Sequence, residues 1–357
     1  MALGTIPVHR TTTPRPRPPE DQLGFGKVFT DHMLTIEWTA RDGWQDAKIV
    51  PYGPLALDPA ASALHYGQMM FEGMKAFRGA DGKVQLWRLM RHCQRMHDGA
   101  PRLCLPALPP EDMAEAVRAL VKVDEDWVPS APDSALYIRP TLVATEAFLG
   151  VRPAERVLFF IILSPVGAYY GAGALTPVKI FVERELTRAA PGGLGAVKAA
   201  ANYAASLQAA VRAKKDGYAQ VLWLDGVRHE TLEEVGTMNL FVCIGDELVT
   251  PPLSDSILSG VTRDCVLTVA REWGLKVSER PLSISEVIAA HAAGNLAEVF
   301  GTGTAAVVSP VGELAVDGQR LVINDGKVGA LSLRLYDEIT GVQRGTRPDR
   351  HGWLTAL

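Results

Sequence analysis

Residues 233–241 read EEVGTMNLF, two acids and a glycine ahead of an apolar run. A carboxylate at Glu234 is either a surface charge or a buried group facing a cation, because an ionised carboxyl is not left dry without a partner. Working outward, the segment belongs to two short strands that follow the strand AQVLWLDG, the helix NYAASLQAAVRAKKDG and the strand VKIFVER. Downstream, SDSILSGVTRD (254–264) puts Gly260, Val261 and Thr262 at the opening of the helix TRDCVLTVAREWG. Free N–H groups and the helix dipole favour a phosphate there; an ordinary Ser/Gly cap is the alternative. Upstream, PGGLGAVKAAANYAAS (191–206) surrounds Lys198 with glycine and alanine. By itself that is either a surface lysine in an alanine-rich helix or an amine kept for chemistry.

The N-terminal half is mixed: strand-like HMLTIEW and VQLWRL, the amphipathic EDMAEAVRALVKVDEDW, then the strands SALYIRPTLVAT and RVLFFIILSPV. At 357 residues two domains are expected. The predicted boundaries are a flexible tail at 1–23, a smaller domain at 24–166, a Gly-rich connector at 167–177 and a larger domain at 178–357. The fold class is α/β, or α+β.

Composition narrows the function. Apolar residues are 47% of the chain, charged ones 21%, and the net charge is −4, with no dense basic block. That excludes an electrostatic footprint for nucleic acid or an anionic membrane. Apolar runs such as VLFFIIL (157–163) are strand-length, far short of a bilayer span. Cys93, Cys104, Cys243 and Cys265 are scattered without a Cys-x-x-Cys, so a disulfide framework is not expected and a reducing cytoplasm is. His92 and His97 are five apart, off the spacing of two helical metal ligands, and no metal is expected. GGLGAVKA lacks the Gly-Lys-Ser/Thr of a phosphate loop, and GTGTAA (301–306) precedes a strand-like VVSPVG where a dinucleotide site needs a helix.

Taken together, Glu234, Asn239 and Phe241, then Leu248 and Thr250, then Leu258, Gly260, Val261 and Arg263 form a spacing that resembles the class IV pyridoxal-phosphate aminotransferases. ALHYGQMMFEGMKAFRG (63–79), LYIRP (136–140), VLWLDG, EEVGTMN and FGTGTAA are similar to the longer, eukaryotic-type branched-chain aminotransferases, and the likeness runs from residue 24 to the C terminus. The resemblance implies a two-domain fold type IV enzyme with a barrel-like sheet in the larger domain and the active site between the domains. It implies amino transfer from L-leucine, L-isoleucine or L-valine to 2-oxoglutarate through pyridoxal 5'-phosphate.

The resemblance also assigns roles. Lys198 takes the place of the lysine that bonds covalently to the cofactor aldehyde, its small neighbours leaving room for the ring. Tyr203 donates its phenol to the cofactor's ring oxygen, steadied by Gln220, and Glu234 faces the pyridine nitrogen. Arg95, the Val261 and Thr262 N–H groups and the Thr304 hydroxyl hold the phosphate. Phe25, Phe71, Tyr66 and Tyr137 line the substrate pocket; Tyr66 with the Thr304 and Ala305 main chain binds the α-carboxylate, and Arg139 a distal one. Leu149 and Val151 match residues that reach in from a second subunit, so a cytoplasmic homodimer with shared active sites follows. Ala306 and Ser309 stand where mammalian relatives carry a redox-active cysteine pair, which argues against redox control there.

Overall fold

The computed structural model describes residues 3–167 and 175–357. Most of the expected connector, 168–174, lies outside the described residues. The chain divides into two compact units: Met1–Ala172 with Val197–Ala200 and Gly341–Leu357, and Gly173–Ala196 with Ala201–Thr340.

The first unit is built on one antiparallel sheet. Its strands are β1 (His32–Thr39), β2 (Gly43–Pro51), β3 (Met69–Phe71), β4 (Met74–Arg78), β5 (Val84–Trp87), β6 (Ala135–Ala144) and β7 (Arg156–Val166). The path runs from the C-terminal strand Leu354–Ala356 through β5, β4, β6, β7 and β1 to β2, with β3 also on β6. The sequence of β6 explains its central place. Leu136, Ile138 and Leu142 alternate onto one face and are fully buried, which turns Tyr137 and Arg139 to the other. Three helices, α1 (Ser62–Tyr66), α2 (Leu89–Gly99) and α3 (Pro110–Val123), complete the unit. In α3 the buried residues Met113, Ala116, Val117, Leu120 and Val121 recur at helical spacing, and that stripe packs on β1 and β7.

The second unit contains a closed ring. Its strands are β8 (Val178–Val182), β9 (Gln220–Leu224), β10 (Leu232–Val235), β11 (Met238–Ile244), β12 (Glu247–Thr250), β13 (Lys276–Glu279), β14 (Leu296–Gly303), β15 (Val307–Val316) and β16 (Gln319–Val322). The path β10-β9-β8-β15-β14-β11 is closed by pairing of β10 with β11, giving a six-stranded barrel-like sheet. Closure removes the free edges that an open sheet of short strands would expose. β12 and β13 extend from β11, and β16 from β15. The helices are α4 (Ala200–Lys215), α5 (Val261–Glu272), α6 (Ile284–Ala292) and α7 (Ala330–Gln343). Leu222, Leu240, Val242, Val249 and Leu314 anchor the core.

Two expectations need correction. The segment 1–23 was expected to be a flexible tail, but its described part is tied down: His9 N and Pro7 O bond the main chain of Ile49, each at 2.9 Å, and Thr11 N donates to His32 Nε2 at 3.0 Å. Arg15 N donates to Asp31 Oδ1 at 2.7 Å. Its prolines forbid a helix but not an extended strip on a sheet edge. The boundary 178–357 also fails. Residues 341–357 belong to the first unit, where Leu354–Ala356 pairs with β5 and Trp353 packs on Trp87 at 5.3 Å. Residues 197–200 join it as well, because Phe71 N donates to Lys198 O at 3.1 Å and Ala199 bridges Met70.

Candidate active site

The first unit gathers Lys198 with the aromatic residues. Pinned to β3 by its main chain, Lys198 carries its Nζ 5.3 Å from the centre of the Phe71 ring. The Arg139 guanidinium lies on the same ring at 4.4 Å, and its Nη2 donates to the Tyr137 hydroxyl at 2.9 Å. Phe25 meets Tyr137 edge to face at 5.1 Å. Five predicted residues, Lys198, Phe25, Phe71, Tyr137 and Arg139, therefore share one surface that is aromatic and cationic at once. Tyr66 is half in solvent, and its hydroxyl donates to Leu149 O. Leu149 and Val151 are 61% and 87% exposed.

Arg95, on α2, is buried and gripped by Glu72: Nε donates at 2.8 Å and Nη2 at 2.6 Å to the two carboxylate oxygens. Asp98, on the same helix, accepts from Gln94 Nε2 at 2.7 Å.

The second unit gathers the remaining residues. Glu234, on β10, is buried; its Oε1 accepts from Leu258 N at 3.0 Å and from the Asn239 amide at 3.2 Å, and Arg188 Nε lies 3.2 Å from its Oε2. Of the two readings open in the sequence, the buried carboxylate facing a cation holds. The neighbouring Glu233 differs: burial pushes its carboxyl up, against the Ser256 hydroxyl and Arg188, which lower it. Asn239 also donates to Leu258 O at 2.8 Å and sits under Gly260, where an added Cβ would stand 1.8 Å from its Oδ1. Gly260 is the N-cap of α5 and makes no side-chain cap, leaving the N–H groups of Val261 and Thr262 at an uncapped helix N terminus. Thr304 and Ala305 lie half-buried in the turn between β14 and β15. Tyr203 stands in the first turns of α4, whose start is tied back by Asn202 Nδ2 donating to Leu194 O at 2.7 Å.

The glycine-rich approach to Lys198 has its own cause. A Cβ on Gly195 would stand 2.4 Å from the Ser256 main chain, so this position must stay bare for the backbones to meet. The small residues upstream of the lysine serve packing at this position.

The amino-transferase class IV family matches residues 69–314. The chain belongs to the class IV aminotransferases. This aminotransferase is 50% identical to branched-chain-amino-acid aminotransferase 2 of Bacillus subtilis over 100% of its own length and 98% of that protein's. It is 45% identical to the branched-chain-amino-acid aminotransferase of Mycolicibacterium smegmatis over 94% of the chain and 92% of that protein. Among solved structures, the Escherichia coli branched-chain amino acid aminotransferase superposes with a TM-score of 0.75 at 29% identity, covering 89% of this chain and 98% of that one. The T.th. branched-chain amino acid aminotransferase with pyridoxamine 5'-phosphate gives 0.75 at 28%, covering 90% and 98%. The fold is fold type IV, and enzymes of this family work with pyridoxal phosphate. The chain's donors suit that cofactor: the uncapped N terminus of α5, kept clear by Gly260, suits a phosphate dianion, and the buried, cation-paired Glu234 suits a protonated pyridine nitrogen.

Sequence reasoning missed Glu72, Arg188 and the placement of the thiols. A charge inside the apolar run MMFEGMKAF was the available signal for Glu72, since a buried acid demands a cation. Arg188 had no local signal. Cys243 and Cys265 are buried, with the Cys243 thiol pushed up to about 12 by burial and then Glu298, while Cys104 is the exposed thiol. Ser309 is buried within β15, opposite Gly301.

Proposed function

We propose that this aminotransferase moves the amino group of L-leucine, L-isoleucine or L-valine to 2-oxoglutarate, as a cytoplasmic homodimer. When bound, pyridoxal phosphate supplies the carbonyl that carries the amino group and an electron sink for the substrate Cα–H bond. Lys198 would hold the cofactor covalently, and its amine would carry the proton at the substrate Cα as general base and then general acid. Tyr203 donates to the cofactor's ring oxygen. Glu234, anchored by Leu258 N, Asn239 and Arg188, keeps the pyridine nitrogen protonated. Arg95, the Val261 and Thr262 N–H groups and the Thr304 hydroxyl take the phosphate.

Phe25, Phe71 and Tyr137 strip water from a branched side chain, and Tyr66 with the Thr304 and Ala305 main chain holds the α-carboxylate. The observation that carries the substrate reading is Arg139 lying on Phe71 and bonded to Tyr137. One surface then accepts either a branched aliphatic group or, through the guanidinium, the distal carboxylate of glutamate. The high exposure of Leu149 and Val151 supports a second copy covering them.

Steady-state kinetics with 2-oxoglutarate test the reading. Alanine lacks three carbons of leucine, and at about 0.8 kcal/mol per buried carbon its kcat/KM is expected roughly 50-fold lower. Aspartate falls further, its charge being too short to reach Arg139. D-alanine or L-aspartate outrunning L-leucine would overturn the substrate class without touching the family.

A further inference from the structure

Glu72 has no place in the chemistry above, yet it is among the most fixed side chains of the first unit. It follows β3 directly and is 1% exposed. Its N donates to Pro140 O at 2.8 Å, and Gly73 N donates to its Oε1 at 2.8 Å, so the strand sets the carboxylate's position. Arg95 comes to it from α2 through a two-point contact, which fixes the plane of the guanidinium as a single bond would not. His92, one helical turn earlier, brings Nδ1 to 3.4 Å from the same Oε1. Burial pushes the Glu72 carboxyl up, but Arg95 and His92 outweigh it and hold it well below the usual carboxylate range.

A buried ion pair is a poor source of stability, since apolar residues of the same volume serve as well or better. The pair makes sense if the arginine's charge is needed where it stands. An acid beside a phosphate-binding arginine has two opposed effects: it repels the dianion, and it fixes the donor that binds it. In a buried site an arginine without its carboxylate is left desolvated and disoriented, so fixing the donor outweighs the repulsion.

We infer that Glu72 is a positioning residue for the cofactor phosphate: it occupies the Nε–Nη2 edge of Arg95 and fixes the plane in which the guanidinium meets the anion. The inference rests on the phosphate role proposed for Arg95.

The test compares pyridoxal phosphate with pyridoxal, which lacks the phosphate. Each is titrated into cofactor-stripped enzyme and read by the absorbance of the bound form, and the ratio of the two Kd values isolates the phosphate grip. Glu72→Gln is expected to lower that ratio about tenfold with the pyridoxal Kd unchanged. Arg95→Ala lowers it as well, and the double variant matches Arg95→Ala alone, because Glu72 acts only through Arg95. Glu72→Asp, one methylene short, gives an intermediate ratio and serves where the glutamine variant does not fold. Equal weakening of both ligands in Glu72→Gln would make Glu72 a purely structural residue and overturn the inference, and so would an unchanged or raised ratio. An unchanged ratio in Arg95→Ala would instead overturn the phosphate role of Arg95 itself.

Discussion

Lys75 is a second lysine that the first unit buries, on the strand that pairs it with Tyr137. Burial pulls its ammonium down to about 8, Arg344 adding to the shift and Asp133 opposing it. In the unfolded chain the same amine titrates near ~10.4. Below about pH 8 both states hold the proton and the burial penalty is constant; from there to ~10.4 only the unfolded chain still binds it, so this group's contribution to stability rises with pH. Wild type is expected to gain on Lys75→Met by about 3 kcal/mol across that window, read from urea midpoints at its two ends. A difference between the two proteins that stays flat with pH would contradict the buried amine. At this scale the sequence was legible in part: Glu234 was open as a surface charge or a buried group facing a cation, and nothing local says that the cation is Arg188. Glu72 and Lys75 stand in one motif, FEGMKAF, whose charges signal burial without naming partners.

Elements carry the next layer. The opening of α5 depends on three chain segments at once: β10 supplies Glu234, β11 supplies Asn239, and the loop before the helix supplies Leu258 and Gly260. Gly260 has φ −66° and ψ 130°, which any residue adopts, so glycine is required by contact rather than by conformation. Gly260→Ala would drive Cβ into Asn239 Oδ1, an atom whose amide partner is held by two hydrogen bonds. The expected cost is about 1–3 kcal/mol of stability together with weaker cofactor binding. An alanine variant with the wild-type urea midpoint and cofactor Kd would show that this junction tolerates a side chain. Helices α3, α4 and α5 and strands β6 to β9 were legible because their periodicity is local. The closing pair β10–β11, the bond from Phe71 to Lys198 and the return of 341–357 to the first sheet were not, because long-range pairing leaves no periodic trace.

At the scale of the whole molecule Lys198 and Arg95 belong to the first unit, and Tyr203, Glu234, Val261, Thr262 and Thr304 belong to the second. Without the resemblance, composition and pattern reached a two-domain α/β protein and several open readings at each position; the spacing across Glu234, Asn239, Gly260 and Arg263 is what joined them. The central claim is that Lys198, and no other amine, holds pyridoxal phosphate. Lys75 makes the question a real one, because burial lowers its ammonium to about 8. Borohydride reduction of the holoenzyme followed by peptide mapping decides it. The account predicts one pyridoxyl group per chain, on the peptide containing Lys198; label on Lys75 or Lys179 with Lys198 unmodified would contradict it.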